Sequence, residues 1–274
     1  MAEPDVRPFQ TRFGPMLALA GDRYISRSLE LYGEFSPAEW RLLAQLVKPG
    51  MTVVEMGANI GAHSVALARA CAPGPLYVFE PQQRVFQLLC ANLAVNGIGN
   101  VTALPEGLGA AAGAAAIPPL DYGSANNFGG IPLAASGGAG DWAEGRAVRV
   151  TPLDALELPS CHLLKIDVEG WEADVLRGAR ATIARCRPII YLENDRADQQ
   201  AVLIALLAEL GYAQYWHVAP LYNAANFKGA TEDITGKACS LNMLCMPAES
   251  AVTVTGFEQV DPANWRSPIT PIGG

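Results

Sequence analysis

The sequence has little charge and little histidine. Asp, Glu, Lys and Arg make up 17% of its 274 residues, and only three histidines are present. Those histidines stand apart at positions 63, 162 and 217, and no Ser-His-Asp arrangement can be drawn from them. The six cysteines (71, 90, 161, 186, 239 and 245) contain no CxxC pair and no regular spacing. That excludes a disulfide scaffold and reads as reduced, mostly buried thiols of a cytoplasmic protein. A basic excess is also missing: the formal net charge of −8 argues against a general nucleic-acid binder, because phosphate contacts need a basic face. Long apolar runs are absent too. Ala201–Leu210, the longest with helical character, is too short to cross a bilayer, and Met1–Gln10 carries charges and prolines in place of a signal peptide's apolar stretch. The expectation is a soluble, cytoplasmic protein without a membrane or nucleic-acid partner, acting on a neutral or cationic small molecule.

What is present is a large apolar fraction, 50% of residues, enough to bury a sizeable core. Phe9–Ala20, punctuated by Gly14-Pro15 and Gly21-Asp22, predicts a small hairpin. Ser36-Pro37-Ala38-Glu39 predicts a sharp helix start, with Ser36 as cap, Pro37 in the first turn and Glu39 closing a capping box. Strands are then expected near 51–55, 76–80, 101–105, 163–168 and 188–193, with a last one in the tail at 240–246. Between them the helical pattern recurs at 61–72, 82–96, 172–184 and 199–210. Strands alternating with helices of ten or more residues imply an α/β protein with a mostly parallel sheet of about seven strands and helices on both faces. Three parts follow: an N-terminal hairpin and helix extension (1–47), the main domain (48–250) and a C-terminal tail (251–274). Within the main domain, residues 107–145 are rich in Ala, Gly and Pro and read as a long loop capping the substrate side.

Chemistry concentrates at the predicted strand ends. The first strand runs into Glu55-Met56-Gly57-Ala58-Asn59-Ile60-Gly61. Glycines let a backbone approach a ligand, and the following helix offers free N–H groups. The spacing is G-x-x-x-G behind an acid, not the G-x-G-x-x-G of a dinucleotide site. A pyrophosphate rejects a neighbouring carboxylate, whereas the cationic aminoacyl and sulfonium groups of S-adenosylmethionine tolerate one. Glu80, before Pro81 at the end of the second strand, can accept both ribose hydroxyls of an adenosine cofactor. Glu106, after the third strand, either meets the adenine amine or is solvated. In Lys165-Ile166-Asp167-Val168-Glu169-Gly170, continued strand geometry would put Asp167 and Glu169 on one face, and Glu193 ends the next strand. Removing a proton from a weakly acidic hydroxyl needs a positioned base, for which Asp167, Glu169, Glu193 and His217 are the candidates. A second reading of the same region makes Asp167, Glu193 and Asn194 oxygen ligands for Mg²⁺. His63, at the start of the cofactor helix, either packs or touches a ligand carboxylate, and His162 reads as structural.

Taken together these segments resemble the FkbM-type methyltransferases. The resemblance is carried by Glu55–His63, Phe79-Glu80-Pro81, Lys165–Gly170 with Val175-Leu176-Arg177-Gly178-Ala179, Arg187–Glu193 and Asn242–Cys245, over roughly residues 20–247. It implies a class I Rossmann-like methyltransferase fold, S-adenosylmethionine as cofactor, and O-methylation of a hydroxyl on a sugar, glycan or other natural product. It also carries the cofactor positions onto Glu55, Gly57, Asn59, Gly61, Glu80 and Asp167, beside which Ala58, His63, Pro81 and Glu106 stand in the same turns. The competing classes are a nicotinamide-dependent oxidoreductase on the same sheet and a non-catalytic cofactor-binding relative. The N-terminal extension, through Tyr32 and Phe35, is either a homodimer contact or a lid over the cofactor.

Overall fold

A computed structural model of the chain describes residues 5–135 and 145–269. The chain opens with an antiparallel hairpin, β1 (Val6–Thr11) and β2 (Gly14–Leu19), followed by α1 (Ile25–Tyr32) and α2 (Pro37–Leu46). The alternating part comprises β3 (Val53–Met56), α3 (Ser64–Cys71), β4 (Leu76–Phe79), α4 (Gln83–Val95) and β5 (Val101–Leu104). It resumes with β10 (Leu163–Ile166), α5 (Glu172–Arg177), α6 (Arg180–Cys186), β11 (Ile189–Glu193) and α7 (Gln200–Glu209). Two long strands, β12 (Tyr212–Pro220) and β13 (Cys239–Pro247), and a two-residue β14 (Glu258–Gln259) close the chain.

The central sheet has eight strands in the order β14-β12-β13-β11-β10-β3-β4-β5, one more than expected because the short β14 joins its edge. The five strands from β11 to β5 are parallel, and each of the pairings β11–β13, β13–β12 and β12–β14 is antiparallel. Alternation along β3 sends Val54 and Met56 into a core with α5, α6 and α7, and Val53 into a second core with α2, α3 and α4. The sheet is therefore covered on both faces, as near-continuous apolar strands require. Chain order reverses between β3 and β10: β4 and β5 lie to one side, β10 and β11 to the other. Such a switch point opens a crevice at the strands' C-terminal ends.

Three local expectations are corrected. The helix expected over 172–184 is broken after Arg177: the Gly178 carbonyl accepts from the Asp154 N–H at 2.9 Å, and the Asp154 carboxylate accepts from the Ala181 and Thr182 N–H groups, so a second helix starts there. Ser36 adopts a left-handed conformation (φ 41°) and does not cap the backbone; its hydroxyl donates to the Glu39 carboxylate at 2.7 Å. Within 107–145 the chain is not one irregular loop. It forms β6 (Gly107–Leu108), β7 (Gly113–Ile117) and β8 (Ala134–Ala135), which build a second, four-stranded sheet with β9 (Arg146–Thr151). Residues 136–144 of that segment lie outside the described residues. Alanine and glycine hid these strands, since small side chains leave no hydrophobic alternation to read.

The N-terminal hairpin packs on α4. Met16, Ala18 and Leu19 share a core with Val85 and Leu88, joined by Ile60 and by Phe128 of the 107–145 segment. Asn92, fully buried on α4, locks this arrangement. Its amide donates to the carbonyls of Leu17 (2.9 Å) and Ile60 (2.8 Å), and its oxygen accepts from the Leu17 N–H (2.6 Å). Among the described residues no helix is long and apolar enough to cross a membrane. Replacing Asn92 with Ala leaves these buried backbone groups unpartnered, so Asn92→Ala is expected to lower the unfolding free energy by about 3 kcal/mol; urea denaturation measures it.

Candidate active site

The crevice begins where β3 ends. Gly57 has φ 81°, and a β carbon there would stand 1.8 Å from the Asp167 carbonyl oxygen, so only glycine lets the turn lie against the end of β10. Asn59 (φ 49°) and Gly61 (φ 86°) continue the left-handed path and delay the start of α3 to Ser64. The turn is tied to the next strand end through Glu80. One carboxylate oxygen accepts from the Asn59 N–H (3.0 Å) and the other from the Gln82 N–H (2.7 Å). Burial nevertheless raises the Glu80 carboxyl to about 7, outweighing both hydrogen bonds.

Under the turn runs a buried ionic chain. The Ser64 hydroxyl donates to Glu55 at 2.5 Å, and Lys165 Nζ lies 3.8 Å from Glu55 and 3.3 Å from Asp167. Burial raises Glu55 to about 7, against the pull of Lys165 and Ser64. For Lys165 burial acts to lower the ammonium, but Asp167, Glu55 and Glu39 outweigh it and raise it. Lys165 is not among the site residues expected from the sequence, where its signal is a lone charge inside the apolar strand Leu163-Leu164-Lys165-Ile166.

The crevice has two lobes. The narrow one, about 50 Å³, lies between Phe79, Pro81, Glu106, Leu108, Leu133 and Trp171. The wide one, about 420 Å³, takes in Phe35, Glu39, Glu55, Ala58, Asn59, His63, Lys165, Glu193 and Asp195. Gly57, Glu80, Gly129, Asp167 and Glu169 line both lobes and so mark their junction. Glu106 is engaged within the wall, accepting from the Thr151 hydroxyl and facing Arg149 at 3.6 Å.

Asp167, Glu169 and Glu193 come together, with carboxylate oxygens within 4.8 Å of one another. Strand alternation is not the reason, because β10 stops at Ile166 and Glu169 turns left-handed (φ 56°). Arg196 aims Glu169 instead, at 2.6 Å. Burial, then Asp167, raises the Glu169 carboxyl to about 7 despite that partner. Burial and the neighbouring Asp167, Asp195 and Glu169 push Glu193 well above the usual carboxylate range. Asn194 does not join this group: its amide turns to Met243 Sδ (3.0 Å) in the core, and its oxygen is buried without a partner among the described residues. The Asp167–Glu193–Asn194 set considered for Mg²⁺ is thus not assembled, since consecutive strand residues face opposite sides.

His217 stands outside both lobes, with Nδ1 2.9 Å from the Tyr191 hydroxyl and its ring edge-on to Phe257. His162 is structural, accepting from the Thr52 N–H at 2.9 Å. His63 is 6% exposed and lines the wide lobe, and its Nε2 has no hydrogen-bond partner among the described residues. Burial, then Lys165, lowers it to about 3.

The profile of the methyltransferase FkbM domain matches residues 55–213, which spans the turn, the ionic chain and the carboxylate cluster. No curated protein sequence matches the chain. Among solved structures it is similar to methyltransferase FkbM from Methylobacillus flagellatus KT, at 15% identity over 74% of this chain and 50% of that one, with a TM-score of 0.46. Trm5b from Pyrococcus abyssi is 12% identical over 89% of this chain and 56% of that one, with a TM-score of 0.50. Precorrin-6y C5,15-methyltransferase from Geobacter metallireducens GS-15 is 12% identical over 76% of this chain and 87% of that one, with a TM-score of 0.48. The chain thus spans only about half the length of the first two. What is shared is the class I methyltransferase fold.

Glu80 and Glu169 hold protons in the folded state that the unfolded chain releases above about 4.5. Stability they contribute at low pH is therefore lost as the pH rises through about 7. The thermal midpoint of the ligand-free protein is expected to fall between about pH 5 and pH 8, and Glu80→Gln to flatten that slope.

Proposed function

The chain belongs to the methyltransferase FkbM domain family, and we propose that it transfers a methyl group from S-adenosylmethionine to a hydroxyl of a small molecule or sugar. The observation that carries this reading is the junction of the two lobes, where Glu80 and the Gly57 turn adjoin the Asp167–Glu169 pair. Membership of a methyltransferase family argues against the nicotinamide-dependent alternative.

The residues present suit the cofactor. Each Glu80 oxygen is held by one backbone N–H and keeps a lone pair for a ribose hydroxyl. The narrow lobe, walled by Phe79, Leu108 and Leu133 and edged by Glu106, suits a flat heteroaromatic base. The Gly57–Gly61 turn with Glu55 below it suits the aminoacyl end. When bound, the cofactor supplies an electrophilic methyl on a sulfonium. The protein's own task is then to orient the acceptor hydroxyl and take its proton. Asp167 and Glu169 line both lobes and so reach the point where the two ligands meet, and a carboxyl raised to about 7 accepts a proton from an alcohol better than an ordinary glutamate does. Arg196 holds Glu169 in place and Lys165 holds Asp167, so both carboxylates are positioned before the acceptor arrives. Within this reading the 107–145 segment, through Asn127, Gly129 and Gly130, acts as the substrate-side cap.

Calorimetry should detect saturable one-to-one binding of S-adenosylhomocysteine, weakened about tenfold to a hundredfold by Glu80→Gln through loss of charge-assisted hydrogen bonds. A protein that is folded and does not bind it would overturn the cofactor assignment. With an accepting alcohol, kcat/KM should rise with pH to a plateau above about 7, and Glu169→Gln should remove the ascending limb. An unchanged limb in that variant would assign the proton transfer to another group.

A further inference from the structure

The wide lobe carries a charge pattern that bears on the class of acceptor, an inference that rests on the methyltransferase reading above. Asp167, Glu169 and Glu193 bring three carboxylates into one cluster, and Lys165 and Arg196 bring two cations to it. Lys165 already serves Glu55 as well as Asp167, and Arg196 is bound to Glu169. Glu193 is left without an ion pair or hydrogen bond to its carboxylate among the described residues. Asp195 and Glu39, which also line this lobe, add to the negative side. Glu193 and Asp195, at the end of β11, do not line the narrow lobe and are separated by β10 from the Gly57 turn assigned to the aminoacyl end, so they stand on the acceptor's side of the junction.

A second observation comes from another element. His63, just ahead of α3, is more than nine-tenths buried, lines the same lobe, and has an unpartnered Nε2. Burial and Lys165 keep its ring neutral, while the backbone at Ser36 and Phe35 acts the other way. A neutral, buried ring with a free Nε2 calls for a hydrogen-bonding group of the ligand and brings no positive charge to the lobe. Both observations have the same consequence: among the described residues the wall of the wide lobe offers hydrogen bonds and negative charge, and its one basic side chain, Lys165, is already committed.

We infer that the methyl acceptor is a hydroxyl compound carrying a protonated amine, such as an amino alcohol or an aminosugar, with its ammonium against Glu193 and Asp195 and a polar group directed at His63. An ammonium offsets part of this excess, while the Lys165 ammonium, 3.3 Å from Asp167, disfavours a divalent ion on the same carboxylate. Phosphorylated acceptors and nucleic-acid backbones need basic contacts that this lobe does not offer.

The test uses protein saturated with S-adenosylhomocysteine, titrated in a calorimeter with glucosamine, N-acetylglucosamine and glucose 6-phosphate. Glucosamine should bind at least about tenfold more tightly than its N-acetyl derivative, and glucose 6-phosphate should not bind. Glu193→Gln should shrink that preference to about threefold or less while S-adenosylhomocysteine affinity stays the same, with Asp195→Asn as the second variant should the first not fold. Equal or tighter binding of the N-acetyl sugar or the phosphate overturns the inference. So does failure of both sugars to bind, or loss of glucosamine binding on adding EDTA. Failure to bind S-adenosylhomocysteine in the first place counts instead against the cofactor assignment, so the two failures are distinguishable.

Discussion

Between the Cα of Gly57 and the carbonyl of Asp167 there is no room for a side chain; a β carbon would lie 1.8 Å from the oxygen. This contact joins the ends of the two strands on either side of the switch point, β3 and β10. Because they meet there, Glu55 and Lys165 face each other across the sheet in register, and Asp167 is delivered to the mouth of the crevice. The turn beyond Gly57 then leaves the Asn59 N–H free to hold Glu80. The junction of the two lobes is assembled around one backbone approach, and the charges around it follow from that approach.

Those charges are costly to bury. Glu55, Glu80 and Glu169 are each raised to about 7, with burial as the first cause in every case. Each is partly compensated by a specific partner: Ser64 and Lys165 for Glu55, two backbone N–H groups for Glu80, and Arg196 for Glu169. Glu193 has no such partner among the described residues. A surplus of like charge at a cleft mouth is hard to explain as a device for stability, since removing repulsion would stabilise the fold. It is readily explained as a site awaiting a cation. The same imbalance that weakens the ligand-free protein gives the wide lobe its selectivity.

How much of this was legible depended on side-chain volume and on sequence distance. The parallel strands were readable because they are apolar runs bounded by turn residues, and Gly57, Gly61 and Glu80 were readable because their spacing after a strand has few uses. The strands inside 107–145 were not, since Ala114, Ala115 and Ala116 in β7 carry no alternation of large and small. The break at Gly178 was equally hidden, because the group that takes the backbone there is Asp154, more than twenty residues away along the chain. Lys165 and Arg196 were not legible as parts of the site: only their contacts with Asp167 and Glu169 give them roles.

The sequence by itself determined the class of fold, the glycine turn after β3 and the identity of the acids that gather near it. These rest on local pattern: alternation, turn chemistry, and the residue that ends each strand. Which acids meet was decided by tertiary structure alone. Glu169 joins Asp167 because Arg196 pulls it there, Asn194 turns away because its neighbour Glu193 takes the crevice side, and His217 is held by Tyr191 outside both lobes. Electrostatic balance depends on distances across strands and loops that no local pattern encodes. The charge left uncompensated in the wide lobe could therefore be read only once the chain was folded.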